Sequence, residues 1–87
     1  MEFDWDEAKS EQTRSRRGFG FEIVYDFDWD EAVILEDRRR DYGETRFRAF
    51  GYAGTRRVFI AFTTRDAVTR IISVRLMHEK EARQYGL

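Results

Sequence analysis

The sequence predicts an α+β domain: a four-stranded antiparallel meander over about residues 32–76, with helices before and after it. Three observations predict it. Apolar and polar residues alternate through Ala32–Asp37, Thr45–Ala53, Arg57–Thr64 and Ala67–Leu76, the two-residue period of strands. Turn residues separate the last three, with Gly54-Thr55-Arg56 as a hairpin loop and Arg65-Asp66 closing the next turn. Capped, strongly polar stretches flank the block on either side. Alternation makes Phe47, Val58, Ile60, Phe62, Ile72 and Val74 the expected core.

The N-terminal Phe3-Asp4-Trp5 is a short extended piece leading into a helix over about Asp6–Arg17. Asp4 and Glu7 have capping-box spacing. Acids early and arginines late suit the helix dipole, and Gly18 is a C-terminal stop. Trp5 and Ala8 are nearly all this helix can bury, which places it across the surface. Residues Phe21–Phe27 fit two templates. Phe21, Ile23, Tyr25 and Phe27 alternate as in a strand, while Phe21, Val24 and Tyr25 share one face of a short helix. The hexapeptide FDWDEA occurs at 3–8 and again at 27–32, but the copies run into unlike sequence, so it marks no repeat architecture. Residues 38–44 form a charged loop. The last helix starts near His78, with Glu81 three residues on in a capping arrangement.

Composition excludes several classes. At 87 residues the chain is a single domain, residues 1–87, with a thin core. Eight Phe, four Tyr and two Trp supply much of the apolar area such a core needs. There is no cysteine, hence no disulfide framework and no thiolate metal site. No His/Asp/Glu cluster has metal-ligand spacing. No apolar run approaches the ~20 residues that span a bilayer, and the acidic first residues are unlike a secretion signal, so a cytoplasmic protein is expected.

The net charge of −1 hides an asymmetry. Residues 1–37 hold 12 acidic and 4 basic side chains, and residues 38–75 hold 3 acidic and 10 basic, all arginine. Such a block is either a nucleic-acid footprint or the partner of the acidic half within the fold. Within it, Arg65, Arg70 and Arg75 are spaced at five around the β-branched run Ile71-Ile72-Ser73-Val74. Guanidinium groups are planar, permanently charged and able to bond two phosphate oxygens at once. The plainer reading is a row of solvent-facing residues in surface ion pairs. In a regular strand Arg70 and Arg75 lie on opposite faces, with Arg70 on the more apolar one. A bulge, a carboxylate, the rim or a bound anion has to resolve that conflict.

Phe3-x-Trp5-Asp6-x-x-Lys9, Gly43-Glu44-x-Arg46, and Arg70-Ile71-Ile72-Ser73-x-Arg75 followed by Glu81 and Tyr85 resemble, in order and over nearly the whole chain, the BrnT family of bacterial ribonuclease toxins. The resemblance implies a RelE-like fold with two N-terminal helices on a four-stranded antiparallel sheet and a short C-terminal helix. It thereby makes residues Phe21–Phe27 a helix. It implies a type II toxin–antitoxin system, in which a metal-independent endoribonuclease is neutralised by a BrnA-like ribbon-helix-helix antitoxin. DNA is contacted only through the antitoxin, no membrane or cofactor is involved, and a homodimer or a hetero-tetramer with the antitoxin is expected. Arg16, Arg17 and Gly18 stand where the family commonly has Lys-His-Gly. That departure removes a histidine and leaves a phosphate contact intact.

Cleavage by the neighbouring 2′-hydroxyl needs a base, positive charge for the phosphorane and an acid for the leaving oxygen. The resemblance and the basic block together make Arg65, Arg70, Arg75 and Lys80 the expected catalytic residues. Arg46, Lys9 and Arg17 are the expected RNA contacts, and His78 and Glu44 the acid–base candidates. Plainer roles compete: helix capping for His78, a solvated helix face for Lys9 and Lys80, and an ion pair with Arg46 or Arg48 for Glu44. Two other functions fit the same residues. One is a module that binds RNA or an acidic protein without catalysis, and the other is the structural half of a regulatory complex.

Overall fold

The computed structural model describes residues 1–87. It contains strand β1 (Glu2–Trp5), helix α1 (Glu7–Arg17), a 3-10 helix (Phe21–Tyr25), β2 (Val33–Asp37), β3 (Arg46–Ala53), β4 (Arg56–Arg65), β5 (Val68–Leu76) and helix α2 (Glu79–Tyr85). One sheet runs in the order β1-β5-β4-β3-β2. The meander β2 to β5 is antiparallel as expected, and β1 joins β5 in parallel. The sheet is therefore five-stranded and mixed, not four-stranded and antiparallel. Only one α-helix precedes it, because the second expected helix is five residues of 3-10 geometry.

Both corrections come from contacts between separate segments. In Glu2-Phe3-Asp4-Trp5 the apolar rings alternate with acids, so one side of the strand packs inward: Phe3 stacks on Trp29 at 5.5 Å and meets Tyr25 edge-on at 5.3 Å. Asp4, expected to cap α1, instead lies in β1 opposite Arg70. The cap is Asp6, whose carboxylate accepts the N–H groups of Ala8 (2.9 Å) and Lys9 (3.3 Å). Gly18 ends the helix at φ 82°, a conformation cheap only for glycine. The residue α1 buries is Ser10, not Ala8; its Oγ accepts the Phe21 N–H at 2.8 Å and ties the 3-10 helix to α1. That short helix inserts Phe21, Ile23 and Val24 into the core with Phe27, Val58, Ile60, Phe62, Ile71 and Val74. The β3–β4 loop has two residues, Gly54-Thr55, with positive φ at Gly54 alone, the pattern that matches hairpin twist.

The decisive irregularity is in β5. Phe62 pairs with Ile71 but Ala61 pairs with Ser73, so Ile72 is an extra residue opposite β4. The bulge moves Ile71 and Val74 onto the same core face as Ile60 and Phe62, while Ile72 is only half-buried. Phe47 is likewise half-buried, stacked on Phe62 at 5.3 Å. The second face carries Phe50 and Phe59 beneath Tyr85 and Ala82 of α2. Beyond α2 that face carries arginines together with Val33, Leu35 and Ala61.

Candidate phosphate-binding face

The bulge that repairs the core also gathers arginines. With Ile72 out of register, Arg70 and Arg75 point to the same side of the sheet, the side away from the main core. The register then builds three rows across this face. Asp37, Arg46, Thr63, Arg70 and Asp4 face one another from β2 to β1. Leu35, Arg48, Ala61 and Ser73 form the next row, and Val33, Phe50, Phe59 and Arg75 the third. Adjacent strands lie about 4.8 Å apart and alternate residues of a strand about 6.8 Å apart. Four arginines thus surround a floor of short side chains, Thr63, Ala61 and Ser73, within a patch about 10 Å wide. The Thr63 hydroxyl donates to the Thr45 carbonyl at 2.6 Å, which fixes the floor.

The arginines differ in how firmly they are held. Arg75 donates from both Nη atoms to Glu81 (2.8 and 2.9 Å) and lies 4.1 Å over the Phe59 ring. Hydrogen bonding from Arg75 holds the Glu81 carboxyl well below the usual range, at about 2. Arg46 and Arg65 share Glu44, each at 3.2 Å, and Arg46 also stacks 4.2 Å over Tyr42. Arg65, then Arg46, lowers the pKa of Glu44. Arg70 meets Asp4 only as an ion pair of 3.4 Å. Arg48 has no carboxylate partner. Its guanidinium lies 5.9 Å over Phe50, and its Nε is buried with no hydrogen-bond partner. A buried donor left unpaired costs free energy that a bound anion would recover.

These contacts place each expected residue. Arg65 shares the face with Arg70 as a diagonal neighbour, but the two engage different carboxylates and do not meet at the Asp66 turn. Arg75 reaches the first turn of α2 through Glu81. Lys80 is exposed on that turn without an ion-pair partner. His78 precedes α2; its N–H donates to Glu81 at 2.8 Å, and its exposed ring lies 3.7 Å from the same carboxylate. Lys9 and Arg17 lie off the arginine face. They line a groove of about 240 Å³ between α1 and residues 72–74 of β5. A larger cavity of about 510 Å³ beside Phe19, Ile23 and Arg56 is remote from these arginines. Sequence reading missed Arg48, although Arg46-Phe47-Arg48 in a strand puts both arginines on one side. No group of three or more His, Asp or Glu could hold a metal ion. No helix is long and apolar enough to cross a membrane.

Among curated proteins none matches the chain. The family model of the BrnT ribonuclease toxins of type II toxin–antitoxin systems matches residues 5–81, which include β1's last residue, the arginine face and the start of α2. The chain belongs to the BrnT family of ribonuclease toxins of type II toxin–antitoxin systems.

Proposed function

We propose that the chain is an endoribonuclease that cleaves RNA without a metal ion on the face of Arg46, Arg48, Arg70 and Arg75, and that a BrnA-like ribbon-helix-helix antitoxin neutralises it. The observation that carries this reading is the cluster itself: four guanidiniums around a floor of Thr63, Ala61 and Ser73, one of them with an unpartnered buried Nε. In this reaction the 2′-hydroxyl attacks the adjacent phosphorus, the bond to the 5′-oxygen breaks, and a 2′,3′-cyclic phosphate and a 5′-hydroxyl result. Charge builds on the nonbridging oxygens. Arg48 and Arg70, the least engaged of the four, bind it first. Arg75 joins by exchanging Glu81 for phosphate, and Arg46 and Arg65 supply further charge, as does Lys80 from α2. The pairs of Arg46, Arg65 and Arg70 are partly exposed ion pairs worth about 0–1 kcal/mol, so releasing them costs little. The bidentate Arg75–Glu81 pair is firmer and gives way only to an equally charge-assisted bond to phosphate.

Glu44 and Glu81 are held ionised by their arginines, which makes them weak bases and unsuited to donating a proton at neutral pH. Proton transfer therefore falls to His78, the single imidazole of the chain, beside the Arg75–Glu81 pair. The test is cleavage of one defined RNA by the purified chain in excess chelator, with the product ends identified. Cyclic phosphate and 5′-hydroxyl ends at undiminished rate are expected. No cleavage with retained RNA binding would replace this reading by a non-catalytic binding module, which the carboxylate partners of Arg46, Arg70 and Arg75 also accommodate.

A further inference from the structure

We propose that the groove between α1 and the outer edge of β5 receives an extended, acidic segment of the antitoxin as an added strand. β1 pairs only with residues 68–71 of β5 and ends at Trp5, where Asp6 turns the chain into α1. β5 continues to Leu76, and β1 is its one neighbour on that side. Residues 72–76 therefore have no strand partner on that side, although the Leu76 carbonyl accepts from Arg75 Nη1 at 3.1 Å, and such an edge is a template for another chain. α1 does not cover it, because the groove lies between them.

The groove's chemistry selects the occupant. Its helical wall is Lys9, Gln12, Thr13, Arg16 and Arg17, positions i, i+3, i+4, i+7 and i+8 on one stripe of α1. Lys9, Arg16 and Arg17 form no ion pair, and no carboxylate lines the groove. A second copy pairing through the same edge would bring two such cationic stripes together, which opposes self-association there. An anionic partner is favoured, and the strand edge decides which kind. An open edge offers N–H donors and C=O acceptors in alternation. Phosphates accept but do not donate, and the ribose 2′-hydroxyls do not follow the repeat of a strand, so an RNA backbone does not reproduce the alternating ladder. A polypeptide satisfies both, with acidic side chains on the α1 cations. Five residues of edge accommodate roughly 16 Å of strand.

This placement also explains how binding would silence the proposed site. A strand beside Ser73 extends the row Arg48–Ala61–Ser73 by one position. A carboxylate there enters the arginine face and competes with phosphate. The inference rests on the antitoxin that the family implies, and its test is separable from RNA cleavage.

The experiment uses the chain with the antitoxin from the neighbouring reading frame. Amide exchange, read residue by residue by NMR, should slow at least ~10-fold on complex formation for the outward-facing amides among residues 72–76. Arg16→Glu should weaken the complex at least ~10-fold, mostly in association rate at low salt. Protection confined to the opposite edge at β2, or undiminished affinity of R16E, overturns the proposal. So does an R16E variant that loses RNA binding while keeping antitoxin affinity, since the groove is then an RNA track. If the free chain cleaves no RNA, the nuclease reading falls, and the exchange and affinity results still decide the strand edge.

Discussion

Replacing Arg48 separates function from stability more cleanly than any other change on this face. In the free protein its Nε is buried without a partner. An unsatisfied donor of that kind costs about 1–3 kcal/mol. The compensating contact with Phe50 is long, 5.9 Å to the ring centroid, and such contacts contribute about 0.5–1 kcal/mol. Arg48→Ala removes both terms, so the fold should be unchanged or stabilised by up to roughly 2 kcal/mol. For a domain of this size that is a rise in Tm of up to about 10 °C. Cleavage should fall by ~100-fold or more, the scale of losing one preorganised charge-stabilising donor. Arg48→Lys should recover only part of it, since an ammonium is a point charge without the fork. The assays are single-turnover cleavage of one RNA at fixed salt and thermal melts of the same samples. Wild-type cleavage by R48A would refute the assignment. A loss of activity matched by a fall of several degrees in Tm would show instead that Arg48 holds the sheet.

Arg70→Ala and Arg75→Ala should each lower cleavage at least ~100-fold, while Arg14→Ala, on a residue tied to Glu11 and Glu22 on the far helix surface, leaves the rate near wild type. If both sheet variants cleave normally, these arginines serve the fold or the partner. Arg75→Ala also leaves Glu81 unpartnered beside the proposed phosphate, a like-charge repulsion of about 1 kcal/mol; adding Glu81→Gln should restore roughly five-fold, measured in the same assay. Asp37 accepts from Arg39 and Tyr42, and Glu81 from Arg75, so both carboxyls have folded pKa values below their unfolded ones. Their stabilisation is present above about pH 4 and lost as pH falls toward 2; melts from pH 7 to pH 2 should show Tm dropping below pH 4, with a shallower drop for Glu81→Gln. Ile60, fully buried at the centre of β4, should cost about 2–5 kcal/mol on truncation to Ala, read by denaturant unfolding.

Much of the architecture is local information, and the sequence carries it. Period-two patterning and the turns at Gly54 and Asp66 put the strands at about 32–37, 45–53, 57–64 and 67–76, each limit within one residue of the strand that forms. The stop of α1 at Gly18 and the start of α2 after His78 follow from cap chemistry. The abundance of arginine between residues 38 and 75 is plain in the composition. The order of motifs that marks the BrnT family is also readable without coordinates. What the tertiary structure decided is how distant segments meet. Ile71 and Ile72 are chemically equivalent in the sequence, so nothing local says which one leaves the ladder. The choice is made by register against Ala61 and Phe62 of β4, and it decides whether Arg70 and Arg75 share a face. Glu2–Trp5 is too short to declare itself a strand, since its stability comes from pairing with residues 68–71, more than sixty positions away. The carboxylate partners of Arg65 and Arg70, and the lack of one at Arg48, are likewise long-range outcomes. Local chemistry set which side chains this protein could offer to a phosphate; the bulge and the added strand set where they stand.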